Sequence, residues 1–402
     1  MTRSQSGKMV AFFFLYIAQS IPMSFFSTAI PVVLRQENYS LASIGLLQLI
    51  KLPWILKFIW APLIDARTRS EKDYFRWIIS SELLYALLIL AVSFLDITLH
   101  FPALFALVVL AFLASATQDI ATDALAVLSF PKKEKSMAGS IQSMGGFAGT
   151  WIGSGLLLIL FAKWGWTTLL YALSAFVLVA LLPLVLRKSP LIVEPAPPKK
   201  IRWNDLFRFF ARKGTGKLLL FLGLCYSGLI GTLAMLKPMM VDLGYNMPKI
   251  GLMVGIIGTL AGCAGSFTGG YLMKRIPRKT ARIGGAFYVL MAASYIWIMS
   301  LSGFSAPTLY LGIVLIWSSY GAASVILYTT AMERVRKGLE GTDFTLQTVI
   351  AHFSSMLIAI ASGKFADHFG YSGLFFAELC LALIAFLFVT FAFHRTPGKA
   401  GA

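Results

Sequence analysis

Long apolar runs, each separated from the next by a few polar residues, dominate the sequence. Runs of about 17–25 apolar residues are typical of helices that cross a bilayer. Twelve such runs are predicted, at approximately 9–34, 42–62, 76–96, 101–129, 137–161, 165–186, 217–236, 249–273, 281–301, 307–331, 342–365 and 371–393. The pattern therefore predicts an all-α integral membrane protein with twelve transmembrane helices.

One long polar interruption divides these runs into six and six. It contains four prolines and a cluster of Lys and Arg, a composition typical of a linker. We predict an N-terminal six-helix half at 1–186, a cytoplasmic basic linker at 187–216 and a C-terminal six-helix half at 217–402. Within the linker, apolar residues at helical spacing between Trp203 and Phe210 fit either a short amphipathic helix on the membrane surface or a simple tether.

Composition excludes an ordinary soluble protein. Hydrophobic residues make up 58% of the chain and charged residues only 13%, against about 25% charged residues in a typical soluble domain. A bilayer must therefore replace water around most of the surface. The first apolar run is longer than the core of a signal peptide, so we expect it to persist as a helix. The three cysteines lie far apart within apolar runs, which predicts neither a disulfide framework nor a metal site.

The net charge of +18 would suggest a nucleic-acid partner in a soluble protein, but the positions of the charges indicate otherwise. Of the 35 Lys and Arg residues, 28 fall in the two termini and in alternate connections between the runs. The positive-inside rule then predicts that both termini lie in the cytoplasm. We expect a multi-pass protein of the inner membrane, functional as a monomer, with lipid and a small-molecule solute as partners and without nucleic acid.

Two segments, 41–69 and 247–279, resemble each other. Each has an Ile-Gly-Leu entry to an even-numbered span and a small-x-Leu exit into a basic loop. The exits resemble the G-x-L-x-D-R loop of the major facilitator superfamily (MFS). The resemblance implies the MFS fold and a cytoplasmic gate loop in which the acid caps and charge-pairs neighbouring helices. The gate residues implied are Asp65, Arg67, Arg69, Lys274 and Arg275, with Lys274 standing where the second copy would carry the acid.

Longer strings resemble one branch of that superfamily, the AmpG-type permeases, which include muropeptide importers, siderophore importers of the RhtX and FptX kind and acetyl-CoA transporters. They include Leu52-Pro53-Trp54, Trp60-Ala61-Pro62-Leu63-Ile64-Asp65, Ala116-Thr117-Gln118-Asp119-Ile120-Ala121-Thr122-Asp123-Ala124 and Tyr16-Ile17-Ala18-Gln19. The resemblance implies a carrier driven by the proton gradient, without a bound cofactor. Two departures are Gly231, where span 7 of a muropeptide importer is expected to carry an acid, and the additional charge of Lys51.

Charged residues inside the predicted spans are the strongest candidates for function, because an ionised side chain at mid-membrane costs about 2.5–3.5 kcal/mol. Asp119 and Asp123, four residues apart, share a face of span 4. In one interpretation Lys57 neutralises Asp119, and Asp123 pairs with Arg67 or Arg69. In the other, Asp119 takes up the coupling proton and releases Lys57.

The remaining candidates are polar or aromatic residues within the spans. Lys51, near mid-membrane, could bind an anionic solute, pair with Glu82 or extend its amine to the membrane surface. Tyr320 and Tyr328 could stack on a sugar or pack against neighbouring helices. The cavity could also be lined by Gln19, Gln118, Gln142, Gln347 and His352.

We therefore predict a proton-coupled importer of a bulky polar solute that works by alternating access, rather than an enzyme. The favoured substrate is an anhydromuropeptide, the alternative is a ferric siderophore, and acetyl-CoA has weaker support. A polytopic membrane enzyme belongs to a different class. Against it, the sequence has neither an H-E-x-x-H motif nor a Walker loop, and its four histidines are widely separated.

Overall fold

The computed structural model describes residues 3–36, 50–96, 99–187, 191 and 203–393. Residues 42–49 of the predicted second span lie outside this part, as do most of residues 188–202 of the linker. The helices are α1 (Arg3–Gln36), α2 (Leu52–Leu56), α3 (Ala61–Arg67), α4 (Glu71–Val92), α5 (Phe101–Ser129), α6 (Lys135–Trp151), α7 (Leu157–Val179), α8 (Leu182–Val185), α9 (Asn204–Phe210), α10 (Thr215–Leu224), α11 (Ser227–Asp242), α12 (Met247–Ile250), α13 (Thr259–Arg275), α14 (Arg278–Ser302), α15 (Ala306–Met332) and α16 (Glu340–Leu387).

The all-α membrane architecture predicted from the apolar runs is confirmed. Among the described residues, ten helices are long and apolar enough to cross a membrane. They contain eleven of the twelve predicted spans, because spans 11 and 12 follow one another within Glu340–Ala392. The described part of span 2 consists of α2, a 3₁₀ turn at Lys57–Ile59 and the beginning of α3, which continues past the predicted end of the span at residue 62. Pro53 and Pro62 each lie in the first turn of their helices, where proline is tolerated.

Two glycines make matching sharp turns between consecutive membrane helices. Gly165 (φ 74°, ψ 177°) separates the fifth and sixth spans, and Gly370 (φ 69°, ψ 176°) separates the eleventh and twelfth. This backbone conformation is essentially restricted to glycine. The two turns lie 205 positions apart, close to the offset between the repeated Ile-Gly-Leu motifs. The internal repeat therefore extends to the backbone of both halves.

The chain forms two compact units that exchange short segments. Unit 1 contains residues 1–132, 145–206 and 334–349, and unit 2 contains residues 133–144, 207–333 and 350–402. In unit 1, Phe26 of α1 packs against Phe112 of α5, with ring centroids 6.3 Å apart. In unit 2, the core includes Leu236, Ile313 and Phe375. Each unit therefore has its own apolar interior.

Of the two interpretations of the segment between Trp203 and Phe210, the structure shows a short helix, α9. Its side chains divide between two environments, because Phe209 is buried whereas Trp203 and Phe207 are 58% and 72% exposed. Exposed aromatic rings beside basic residues are typical of a helix lying at a membrane surface.

Candidate functional site

An ion pair lies in the interior of unit 1. Lys57, on the 3₁₀ turn between α2 and α3, donates to the carboxylate of Asp119 on α5. Each residue is only 2% exposed. The Lys57 ammonium also lies 4.9 Å from the ring centroid of Trp54, in a cation–π contact. The structure thus brings together two charges that the sequence separates by 62 positions.

Neutral side chains of α1 complete this cluster. The amide of Gln19 donates to Asp119 Oδ1 at 2.8 Å, and the hydroxyl of Tyr16 donates to Asp123 Oδ1 at 2.9 Å. Tyr16 was not among the predicted site residues. Its spacing of three from Gln19 is the signal that could have revealed it, because residues three or four apart share a helix face. We call Tyr16, Gln19, Lys57, Asp119 and Asp123 the acid cluster.

The acid cluster contains more acidic than basic groups. Asp119 and Asp123 interact with each other, and Lys57 is the cation that acts on Asp123. Tyr16 and Gln19 donate hydrogen bonds without adding charge. When all three groups are ionised, the two buried carboxylates beside one ammonium leave the named residues with one negative charge in excess, and like charges this close repel each other.

Other candidates in unit 1 are not brought into this cluster as expected. Within the described part of the chain, Lys51 and Glu82 do not pair with each other, and the buried carboxylate of Glu82 has no hydrogen-bond partner. The amide of Gln118 is likewise buried without a partner among the described residues. The proposed partners of Asp123, Arg67 and Arg69, carry exposed side chains, whereas the hydroxyl of Tyr16 bonds to this acid.

Asp65 links α3 to the beginning of α16. Its carboxylate accepts hydrogen bonds from the Gly341 N–H at 3.0 Å, the Thr342 N–H at 2.7 Å and the Thr342 hydroxyl at 2.6 Å. A carboxylate in this position satisfies unpaired helix N–H groups and stabilises the positive end of the helix dipole. Burial raises the pKa of Asp65 to about 7, although the bonds from Thr342 and Gly341 oppose that rise. Asp65 therefore caps a helix from the opposite half of the sequence.

The second copy of the gate loop, in unit 2, is built differently. Lys274 is exposed, and the guanidinium of Arg275 stacks over the Tyr271 ring at 5.3 Å. The ion pairs near this loop instead join Arg278 and Arg282 to Glu333, each at 2.8 Å. Glu333 follows α15 and was missed, because its partners are distant in the sequence.

The remaining predicted residues occupy separate surroundings. Gln347, in unit 1, donates to the backbone oxygen of Asp343 at 2.9 Å. In unit 2, Gln142 is half-buried and His352 is exposed. Tyr320 makes an edge contact with Tyr226, with ring centroids 5.1 Å apart. That contact favours the packing interpretation of Tyr320.

A buried acid in unit 2 occupies the space left by Gly231. Glu378, on the part of α16 that follows Gly370, is 2% exposed. Its Oε2 accepts a hydrogen bond from the Gly231 N–H at 3.1 Å. A Cβ at position 231 would lie 2.5 Å from Glu378 Oε1. The acid expected on span 7 is thus absent from the sequence there, and a carboxylate from span 12 lies at that place.

Comparison with known proteins gives a consistent result. The family model of the Major Facilitator Superfamily matches residues 10–359. An anhydromuropeptide permease of Escherichia coli K12 is 24% identical over 376 residues, covering 92% of this chain and 76% of the relative. A protein of Rickettsia conorii named putative transporter AmpG 4 is 25% identical over 394 residues, covering 93% of each chain.

Two solved structures share the fold. The fucose transporter FucP in an outward conformation has a TM-score of 0.72 at 16% identity and covers 97% of this chain and 98% of its own. A bacterial homologue of the iron transporter ferroportin, in an outward-facing state, has a TM-score of 0.70 at 16% identity and covers 96% and 98%. At this level of identity the likeness extends to the fold alone.

Proposed function

Because this chain belongs to the Major Facilitator Superfamily, we propose that it is a proton-coupled importer of a bulky polar solute, with an anhydromuropeptide as the substrate. The resemblance to AmpG-type permeases is confirmed by the relatives from Escherichia coli and Rickettsia conorii. A permease for anhydromuropeptide among them supports the substrate class. We also propose that the protein lies in the inner membrane with both termini in the cytoplasm. The distribution of Lys and Arg supports this orientation.

The acid cluster is the observation that carries proton coupling. Protonation of Asp119 would remove the negative charge that holds Lys57, and the ion pair between the 3₁₀ turn and α5 would weaken. Loss of the proton would restore the pair. The cluster therefore has two protonation states with different strengths of contact, which is the property that a coupling site needs.

The gate contact of Asp65 supports alternating access. In a carrier, the cytoplasmic side must close while the opposite side is open, and that closure needs contacts that can break. Asp65 and the first turn of α16 provide one such contact, made of three hydrogen bonds. We assign Lys51 to the binding of an acidic group of the solute, because it is a membrane lysine without an ion-pair partner in the described part of the chain.

Uptake into proteoliposomes with an imposed inward proton gradient tests the proposal. Labelled anhydromuropeptide and a panel of ferric siderophores are supplied in parallel, with and without a protonophore. We expect saturable accumulation of anhydromuropeptide that the protonophore abolishes. Accumulation of a siderophore alone would overturn the substrate and keep the mechanism. Accumulation of anhydromuropeptide that is insensitive to the protonophore would overturn proton coupling.

Asp119→Asn tests the role of the acid cluster within the same assay. Asn keeps the shape of Asp but cannot be ionised, so proton-driven accumulation should be lost. Arg76→Gln is the matched control, because Arg76 belongs to an exposed ion pair with Asp73. This variant should accumulate solute as the wild type does. Unchanged accumulation in Asp119→Asn would remove the acid cluster from the coupling mechanism.

A further inference from the structure

Three helical segments of unit 2 meet around a buried carboxylate. The helix α16 is divided at Gly370, and we call residues 340–369 its first arm and residues 371–387 its second arm. Glu378 lies in the second arm, about 11 Å from the turn at 1.5 Å per residue. Its carboxylate is therefore deep within the apolar length of this arm.

The crossing of α11 with the second arm is unusually close. A Cβ on Gly228 would lie 2.6 Å from the Cβ of Ala382 and 2.7 Å from the backbone oxygen of Glu378. A Cβ on Gly231 would lie 2.5 Å from Glu378 Oε1 and 2.4 Å from the hydroxyl of Ser362, on the first arm. All four distances are shorter than real Cβ contacts. Glycine at these positions thus allows the carboxylate to reach the backbone of α11.

The groups that face this carboxylate are polar but uncharged. They are the N–H groups of Gly231 and Thr232 on α11 and the Ser362 hydroxyl on the first arm, whose own hydrogen bond goes to the Ile358 oxygen at 2.7 Å. In the described part of the chain, Glu378 forms no ion pair. An ionised carboxylate at this depth is costly without a cation, and backbone N–H donors offset only part of that cost.

The same geometry gives the carboxylate two usable states. When protonated, the carboxyl group carries no charge, so the close packing of the second arm against α11 is favoured. When ionised, it carries a buried charge that the Gly231 N–H bond offsets only in part, so the packed contact is less favourable. The helix α11 is also separated from α10 by a non-helical residue, Tyr226 (φ −135°, ψ 19°).

We propose that Glu378 is a second proton-binding site of the transport cycle, at which proton uptake stabilises the contact between α11 and the second arm of α16 and proton release loosens it. The step adds one proton from solution to a carboxylate oxygen and breaks no covalent bond. This proposal rests on the proposed function in that the proton is the coupling ion. It assigns to unit 2 a coupling role separate from that of the acid cluster.

Infrared difference spectra of the purified full-length protein in liposomes test proton binding without any solute. We expect a carboxylic acid C=O band whose intensity follows pH in the wild type and which loses one component in Glu378→Gln, while the components of Asp65 and the acid cluster remain. The matched control is Asp242→Asn, which removes an exposed acid of α11 and should keep the component of Glu378. Identical wild-type and Glu378→Gln spectra would overturn the proposal, whatever the transported solute is.

Transport of labelled anhydromuropeptide tests coupling. Each coupled proton supports about tenfold accumulation under a gradient of one pH unit. Glu378→Gln should therefore accumulate about tenfold less solute at steady state than the wild type, which a merely structural role would not produce. Accumulation equal to the wild type would overturn the proposal. If the wild type itself fails to accumulate the solute, the proposed function fails and the infrared result alone decides the role of Glu378.

Moving the carboxylate to the other helix guards against a folding defect. The oxygen of an Asp at position 231 would fall near the present Glu378 oxygen, because the missing Cβ lies 2.5 Å from it. The double variant Gly231→Asp, Glu378→Ala should therefore recover both the infrared component and the wild-type level of accumulation. Gly216→Ala, with no heavy atom within 4 Å of the added Cβ, is the control for a glycine substitution. A double variant that folds but shows neither the infrared component nor the wild-type level of accumulation of the solute would contradict the proposal.

Discussion

The ion pair between Lys57 and Asp119 yields the most direct stability prediction. Both residues are 2% exposed, so removing one charge leaves the other buried without its partner. Breaking a buried pair from one side costs about 3–5 kcal/mol, whereas removing both charges together costs no more than removing one. We expect Asp119→Asn and Lys57→Met each to lower the free energy of unfolding by about 3 kcal/mol.

The double variant separates pairing from packing. If the two single effects were independent, Lys57→Met combined with Asp119→Asn would cost about 6 kcal/mol, but the charges disappear together and we expect a total of about 3 kcal/mol. The difference is a coupling energy of about 3 kcal/mol, at the upper end of measured values for contacting residues. Gln19 still finds an acceptor in the Asn carbonyl, so its contact should persist.

The assay is reversible unfolding in mixed detergent micelles, followed by tryptophan fluorescence. Arg76→Gln again serves as the control, because its partner Asp73 is 3.3 Å away and Arg76 is 81% exposed in its side chain. Exposed pairs contribute about 0–1 kcal/mol. Single-variant losses below about 1 kcal/mol that add up in the double variant would refute a buried pair.

Three further outcomes are expected. The Asp65 contact binds a proton as it forms, because burial raises its pKa to about 7. The stabilising effect of this contact is therefore complete at a pH below the ordinary pKa of Asp and is lost as pH rises through about 7. The distance between α3 and position 341, measured by cross-linking or spin labels, should therefore change between pH 5 and pH 8, and Asp65→Asn should abolish that change. Gly165→Ala and Gly370→Ala should each cost about 1–3 kcal/mol in the unfolding assay because of their positive φ, whereas Gly155→Ala, which has free space for a Cβ, should not. Fluorescent protein fused to the C-terminus should fluoresce, and alkaline phosphatase fused there should be inactive; the reverse would contradict a cytoplasmic C-terminus.

The fold could be predicted from the sequence because membrane helices are recognisable as long apolar runs. Positions of prolines and of basic loops then located the ends of the spans. The division of span 2 into α2, a 3₁₀ turn and α3 was not predicted. It depends on Pro53 and Pro62 acting together over a short distance, and hydropathy does not register such local breaks.

The site was only partly predictable, for a different reason. Acid and base within apolar runs could be recognised one at a time, and the spacing of Asp119 and Asp123 placed them on one face. Their partners come from other helices. Tyr16 carries no charge, so a search for charged residues within apolar runs does not find it. Glu333 likewise pairs with Arg278 and Arg282 across 55 and 51 positions. Such contacts depend on how helices pack, which no local pattern encodes.

The internal repeat accounts for backbone geometry but not for the proposed proton chemistry. Gly165 and Gly370 make the same turn in corresponding places, so duplication explains both. The acid cluster, however, uses α5, the fourth span, whereas Glu378 lies on the twelfth span, which corresponds to the sixth. The two acidic sites are therefore not copies of one ancestral site. Each depends on hydrogen bonds made within its own unit, from Gln19 to Asp119 in unit 1 and from Gly231 to Glu378 in unit 2.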